Sequence, residues 1–149
     1  MPTINRSAIV PYTPDQMFAL VDDIGAYPEF LPWCHSSREH ERNQDLVRAT
    51  VELAKGAVRK SFTTQNRLQH GKMIEMKLVD GPFKHLEGYW RFHPLKDGEA
   101  CKVELDLAFE FSNRVIAMAI GPVFTSVANS LVDAFVSRAN NLYRKESGI

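Results

Sequence analysis

The stretch CKVELDLAFEF, residues 101–111, alternates without a break. Cys101, Val103, Leu105, Leu107, Phe109 and Phe111 fall on one side, and Lys102, Glu104, Asp106 and Glu110 on the other. A period of two describes a strand with one dry face and one wet face. Directly after it the period becomes helical. From Asn113 to Tyr143 the residues Ile116, Ile120, Phe124, Val127, Leu131, Phe135 and Leu142 form a long apolar stripe. Ser112 or Asn113 can cap this helix, and Gly121-Pro122 either kinks it or opens a second segment. One strand cannot cover such a stripe, so a whole sheet is expected to.

The other strands lie upstream. Thr3 to Val10 alternates, with Ile4, Ala8 and Val10 on one face. Thr13, Pro14 and Gln16 then have the spacing of a capping box with proline at the first helical position. Met17, Leu20 and Val21 share a face of that helix, and a second short helix carries Ile24 to Phe30. CHSSREHER, residues 34–42, is a polar strand, open to solvent or at an edge. Leu46 to Leu53, Val58 to Leu68, a strand marked by Ile74, Met76 and Leu78, and Phe83 to His93 follow, separated by KGAV, QHGK and DGP turns. PLKDGEA is read as a hairpin loop before residue 101. Strands joined by tight turns make an antiparallel sheet. The expected class is α+β, a single domain over residues 1–149 in which a curved antiparallel sheet of about seven strands wraps a long C-terminal helix.

Composition narrows the function. The 149 residues carry 18 basic and 18 acidic side chains, so the net charge is zero and no global field recruits DNA. The charge is uneven along the chain. Residues 38–72 hold eight bases, Arg38, Arg42, Arg48, Lys55, Arg59, Lys60, Arg67 and Lys72, against four acids. Such a segment is a solvated sheet face or a surface for an anionic partner such as RNA. The N-terminus lacks the apolar run of a signal peptide, so a cytoplasmic protein is expected. Cys34 and Cys101 are read as buried, reduced thiols. No HExxH, CxxC, GxSxG or phosphate-cradling loop is present, and no metal is expected. His35, His85 and Glu110 are the groups able to act as acid and base in a pocket, although surface roles explain them equally.

YPEFLPWC, residues 27–34, crowds Tyr27, Phe30, Leu31 and Trp33 around two prolines. Prolines exclude a regular helix or central strand, yet loops are seldom this apolar. The same excess runs through Phe83, Leu86, Trp90, Phe109, Phe124, Leu131 and Phe135. A tight core or an apolar pocket satisfies that composition.

Together, VPYTPDQMFALVDDIGAYPEFLPWC, DGPFKHLEGYWRFHPL, CKVELDLAFEFSN and GPVFTSVANSLVDAFVSRANNLY resemble the coenzyme Q-binding START-domain family, whose bacterial members include the ribosome-association toxin group. The resemblance covers about Ile9 to Tyr143. It implies a helix-grip fold and a hydrophobic tunnel for a lipid-like ligand, a polyisoprenoid quinone such as ubiquinone first. Phe30, Trp33 and Phe83 would then sit near the mouth, with Leu86, Trp90, Phe109, Phe124, Val127, Leu131 and Phe135 lining the tunnel. On this reading the protein is a non-catalytic carrier or chaperone supporting respiration. It needs no cofactor beyond a bound quinone and touches the inner membrane peripherally. The alternative is a toxin that binds the large ribosomal subunit through the basic segment and blocks subunit joining. A cyclase-like enzyme using His35 or His85 is the third and weakest expectation.

Overall fold

The computed structural model describes residues 3–147, with side chains to residue 144. β1 (Thr3–Val10) leads into α1 (Pro14–Asp22) and a short 3-10 helix, Ile24–Glu29. β2 (Cys34–Arg42), β3 (Leu46–Lys55), β4 (Val58–Gln69), β5 (Met73–Asp80), β6 (Phe83–Leu95) and β7 (Ala100–Phe111) follow, and α2 (Arg114–Ser147) closes the chain. The strands form one antiparallel sheet in the order β1-β7-β6-β5-β4-β3-β2. Five successive hairpins build β2 to β7 as a meander. β1 then pairs with β7, Ile4 facing Leu107 and Val10 facing Cys101. The two edges are therefore neighbours in sequence, and α1 with the 3-10 helix must cross from one edge to the other.

Local chemistry starts each helix where the spacing predicts. Thr13 Oγ1 accepts from the Gln16 amide at 3.1 Å and Gln16 Oε1 accepts from the Thr13 amide at 2.9 Å, a complete capping box with Pro14 inside the first turn. Asn113 Oδ1 accepts from the Ile116 amide at 2.9 Å and caps α2. Pro122 stays within α2, so Gly121-Pro122 does not open a separate helix. β6 runs two residues beyond His93. Pro94 is tolerated there because β5 pairs with β6 only as far as Arg91, so a missing amide breaks no ladder on that side.

The concave face and the buried side of α2 form two apolar clusters. One gathers Val10, Met17, Val21, Phe92, Cys101, Val103, Val132 and Phe135 beneath α1. The other gathers Leu53, Phe83, Leu86, Phe109, Phe124 and Val127 at the opposite end. Tyr12 and Tyr143 fasten the far end of α2, through Tyr12 Oη donating to Asn140 Oδ1 at 2.6 Å and Tyr143 Oη donating to the Gln16 carbonyl at 2.9 Å. Leu142, placed on the apolar stripe by its spacing, is exposed instead. Both cysteines are buried and free, and burial pushes each thiol up to about 11.

Arg42 clips the polar edge strand to the first helix. Its guanidinium reaches both Asp22 carboxylate oxygens at 3.2 and 3.0 Å, the Asp22 carbonyl at 2.9 Å, and Glu39 at 2.8 and 2.7 Å. The hydrogen bonds from Arg42 hold the Glu39 carboxyl below its ordinary value of 4.5. A depressed folded-state pKa contributes stability above the unfolded value that is lost as pH falls through the folded one. Arg42→Ala is therefore expected to cost about 1 kcal/mol at pH 7, a difference that urea titrations should find narrowing below pH 4.5.

Gly88 lies in the middle of the concave face, buried between β5 and β7. A Cβ there would stand 2.8 Å from Leu107 Cδ1, 2.9 Å from the Asp106 carbonyl oxygen and 3.0 Å from Met76 Cε. Backbone oxygen cannot move aside, so Gly88→Val is expected to lose about 1–3 kcal/mol by overpacking, read as a lower urea midpoint at unchanged slope.

Candidate functional site

Between the two clusters the sheet and α2 do not close. The gap is a cavity of about 100 Å³ lined by Ile24, Tyr27, Trp33, Ala49, Val51, Phe62, Thr64, Asn66, Met76, Leu86, Trp90, Leu105, Leu107, Phe124, Val127, Ala128, Leu131 and Phe135. Strand alternation explains the wall. Val47, Ala49, Val51 and Leu53 on β3 stand opposite Asn66, Thr64, Phe62 and Lys60 on β4, and all share the concave face. Trp33, Val51, Phe62 and Leu131 are half-buried, which puts the opening between α2 and the β2–β4 wing.

Seven of the ten expected pocket residues line this cavity: Trp33, Leu86, Trp90, Phe124, Val127, Leu131 and Phe135. The other three pack around it. Phe30 stacks edge-on against Tyr27 and Phe135, with the Arg138 guanidinium 4.9 Å above its ring. Phe83 and Phe109 both pack edge-on against Phe124, at 4.9 Å each. They are 6% and 2% exposed, so neither forms a mouth. YPEFLPWC thus does two jobs. Leu31 is buried and Phe30 packs the crossing segment onto α2, while Tyr27 and Trp33 line the cavity. Tyr27 Oη donates to the Val21 carbonyl, and burial holds its phenol far above the ordinary value, so it stays neutral. Thr64 and Asn66 were not legible as lining residues, because a polar residue in an amphipathic strand is normally assigned to the wet face.

Among the described residues no histidine, carboxylate, lysine or arginine lines the cavity. His35 lies 3.8 Å from Glu52, and His85 lies 3.7 Å from Glu87 on the outer face, where Glu110 meets Lys84. Among the described residues no cluster of histidine, cysteine and carboxylates is arranged to hold a metal.

The convex face carries the charge. Arg38, Arg48, Arg59 and Arg67 project there from β2, β3 and β4, joined by Lys77 from β5. Arg48, Gln65 and Lys77 are directly opposed across three strands, about 10 Å from end to end. Arg59 leans on Glu52 at 3.5 Å, whereas Arg38, Arg48, Arg67 and Lys77 make no ion pair among the described residues. The remaining bases of the segment lie elsewhere. Arg42 is held by Asp22 and Glu39, Lys55 and Lys60 sit at the β3–β4 hairpin, and Lys72 lies in the β4–β5 turn. In the β6–β7 half of the same face charges meet in pairs, Arg91–Asp106 and Lys84–Glu110, and His93 Nε2 lies 3.1 Å from Glu104. Hydrogen bonds from Asn5 and His93 hold Glu104 below its ordinary value.

Known proteins resemble this chain in sequence and fold. A chain from Pseudomonas aeruginosa named ribosome association toxin RatA is 46% identical over 140 residues, covering 94% of this chain and 96% of that one. The mitochondrial coenzyme Q-binding protein COQ10 homolog B of Xenopus laevis is 26% identical, covering 95% of this chain and 59% of that one. An aromatase/cyclase from a Streptomyces species superposes with a TM-score of 0.86 over 99% of both chains at 15% identity, a likeness of fold. The family model for polyketide cyclase / dehydrase and lipid transport matches residues 10–136, which take in the cavity, both clusters and most of α2; this chain belongs to that START-like family, with the ribosome association toxins among its members.

Proposed function

We propose that the protein is a cytoplasmic ribosome-associating factor that meets the large subunit with its convex β2–β5 wing and so blocks subunit joining. The observation that carries this reading is the group Arg38, Arg48, Arg67 and Lys77 on one sheet face, none of them in an ion pair among the described residues, although Glu41, Glu75 and Glu87 stand opposite Arg48, Arg67 and Lys77 in the ladder. Cations already spent on carboxylates release no counterions on binding RNA, whereas unspent ones do. The 46% identity to a protein named for ribosome association supports the same reading. Among the described residues the wing presents no exposed phenylalanine, tyrosine or tryptophan ring to stack on bases, so contact runs mainly through phosphates and shape, with His40 the exposed ring at hand.

Four phosphate contacts give binding a steep salt dependence. Affinity for purified large subunits is expected to fall about 50-fold to 150-fold between 50 and 200 mM monovalent salt. Arg48→Ala should flatten the logarithmic slope by a little under one unit. Co-sedimentation that is unchanged in an Arg48→Glu, Arg67→Glu double variant would exclude this surface.

The cavity favours a second reading, a non-catalytic carrier of an apolar ligand such as an isoprenoid quinone, drawn peripherally to the inner membrane. The 26% identity to a coenzyme Q-binding protein supports it. Its volume of about 100 Å³ is the restraint. A cavity of about 150 Å³ admits benzene, so a ring or one prenyl unit is the scale this space suits, and a longer tail requires α2 and the wing to part. Organic extraction of protein purified gently from its host, followed by mass spectrometry, should recover a bound quinone. Leu131→Trp, at the half-buried rim, should abolish that recovery while leaving the urea midpoint within the range of surface variants.

A further inference from the structure

Among the described residues Asn66 is the one buried polar side chain, 7% exposed, and it sits on a mostly apolar part of the concave face beside Thr64. Its neighbours across the ladder are Val47 and Met76. Thr64 Oγ1 donates to Asn66 Oδ1 at 3.0 Å, which fixes the carboxamide by its oxygen end. Nδ2 has no hydrogen-bond partner among the described residues. No buried side-chain polar atom sealed from open space lacks a partner, so Nδ2 opens onto the cavity that Asn66 lines. The indole N–H of Trp90, 3% exposed on the lining of the same cavity, also has no hydrogen-bond partner. Both donors are accessible from the cavity, where an acceptor on a ligand can pair with them.

The open N–H groups are donors, while the Thr64 and Tyr27 oxygens keep only lone pairs. Thr64 has spent its proton on Asn66, and Tyr27 has spent its own on Val21. No lysine, arginine, histidine or carboxylate lines the cavity. An ionised head would lie there without a counter-charge, which the apolar wall disfavours strongly. We infer that the cavity recognises a neutral apolar molecule through a carbonyl oxygen that accepts from Asn66 Nδ2, and that it rejects fatty acids and phosphorylated lipids. This assignment rests on the second reading above, that the cavity holds a ligand. It adds a selecting residue and a chemical class to that reading.

Three probes of similar size test it: acetophenone, ethylbenzene and benzoate, titrated by isothermal calorimetry. Acetophenone is expected to bind about fivefold to tenfold more tightly than ethylbenzene, the worth of one hydrogen bond, and benzoate more weakly than either. Asn66→Leu, close in volume, should bring acetophenone down to ethylbenzene while ethylbenzene holds its affinity. In the unsubstituted protein, the side-chain amide resonances of Asn66 should shift with acetophenone and stay in place with ethylbenzene, a readout independent of whether the variant folds. Equal affinities for the two neutral probes, or equal shifts, overturn the role of Asn66 while leaving the cavity as a ligand site. A preference for the ketone that survives Asn66→Leu does the same. Failure of both neutral probes to bind overturns the ligand reading and this assignment with it.

Discussion

Everything in this fold depends on covering one side of α2. Phe135 is the centre of that contact, 1% exposed, with Tyr27, Phe30 and Trp90 packed edge-on around it at 5.5, 5.4 and 5.3 Å. Burying one such ring stabilises the fold by about 2–3 kcal/mol. The three partners come from the crossing segment and from β6, so a single helical residue ties the helix, the sheet and the link between the sheet's two edges. A flat sheet would touch α2 along one line. Curvature brings β1 and β7 to one flank and the crossing segment to the other.

The same geometry leaves a gap. The cluster beneath α1 is closed by helix against sheet, and the far cluster by four phenylalanine rings around Phe124. Midway, α2 faces the small residues Ala49 and Val51 and the polar pair Thr64 and Asn66. Neither aromatic cluster reaches across, and the space between them stays open. The two faces of the sheet then differ in chemistry. The concave face encloses a cavity lined by uncharged residues, and the convex face of β2–β5 presents Arg38, Arg48, Arg67 and Lys77, which make no ion pair among the described residues. Because strand side chains alternate, a ligand on one face and RNA on the other, as proposed, would make no competing contacts.

Much of this was legible in the residues. Cys101 to Phe111 alternates cleanly, and the structure places it as β7 with each assigned apolar side chain on the concave face. Thr13, Pro14 and Gln16 announced the start of α1 because capping is a local matter of three neighbouring groups. Seven cavity residues were identifiable because large apolar side chains on the dry face of a strand or helix have few other places to go. Phe30, Phe83 and Phe109 show where that reasoning stops. Facing inward does not distinguish a residue that lines a void from one that fills the wall behind it, since that depends on which rings meet, at distances of about 5 Å, across elements remote in sequence.

The charged face divides along the same boundary. Eight bases within residues 38–72 were countable from composition, and strand parity alone puts Arg48, Arg59 and Arg67 on the wet side. That Arg42 is spent on Asp22 and Glu39, that Lys72 lies in a turn away from the wing, and that Lys77 joins it required the folded register. Sequence by itself determined the elements, their dry faces and the overall architecture, because these follow from periodicity and from groups a few residues apart. Only tertiary structure decided the cavity, the inward-facing Asn66 and the set of unspent cations. A void and an ion pair are relations between residues tens of positions apart, and no local pattern encodes the distance between them.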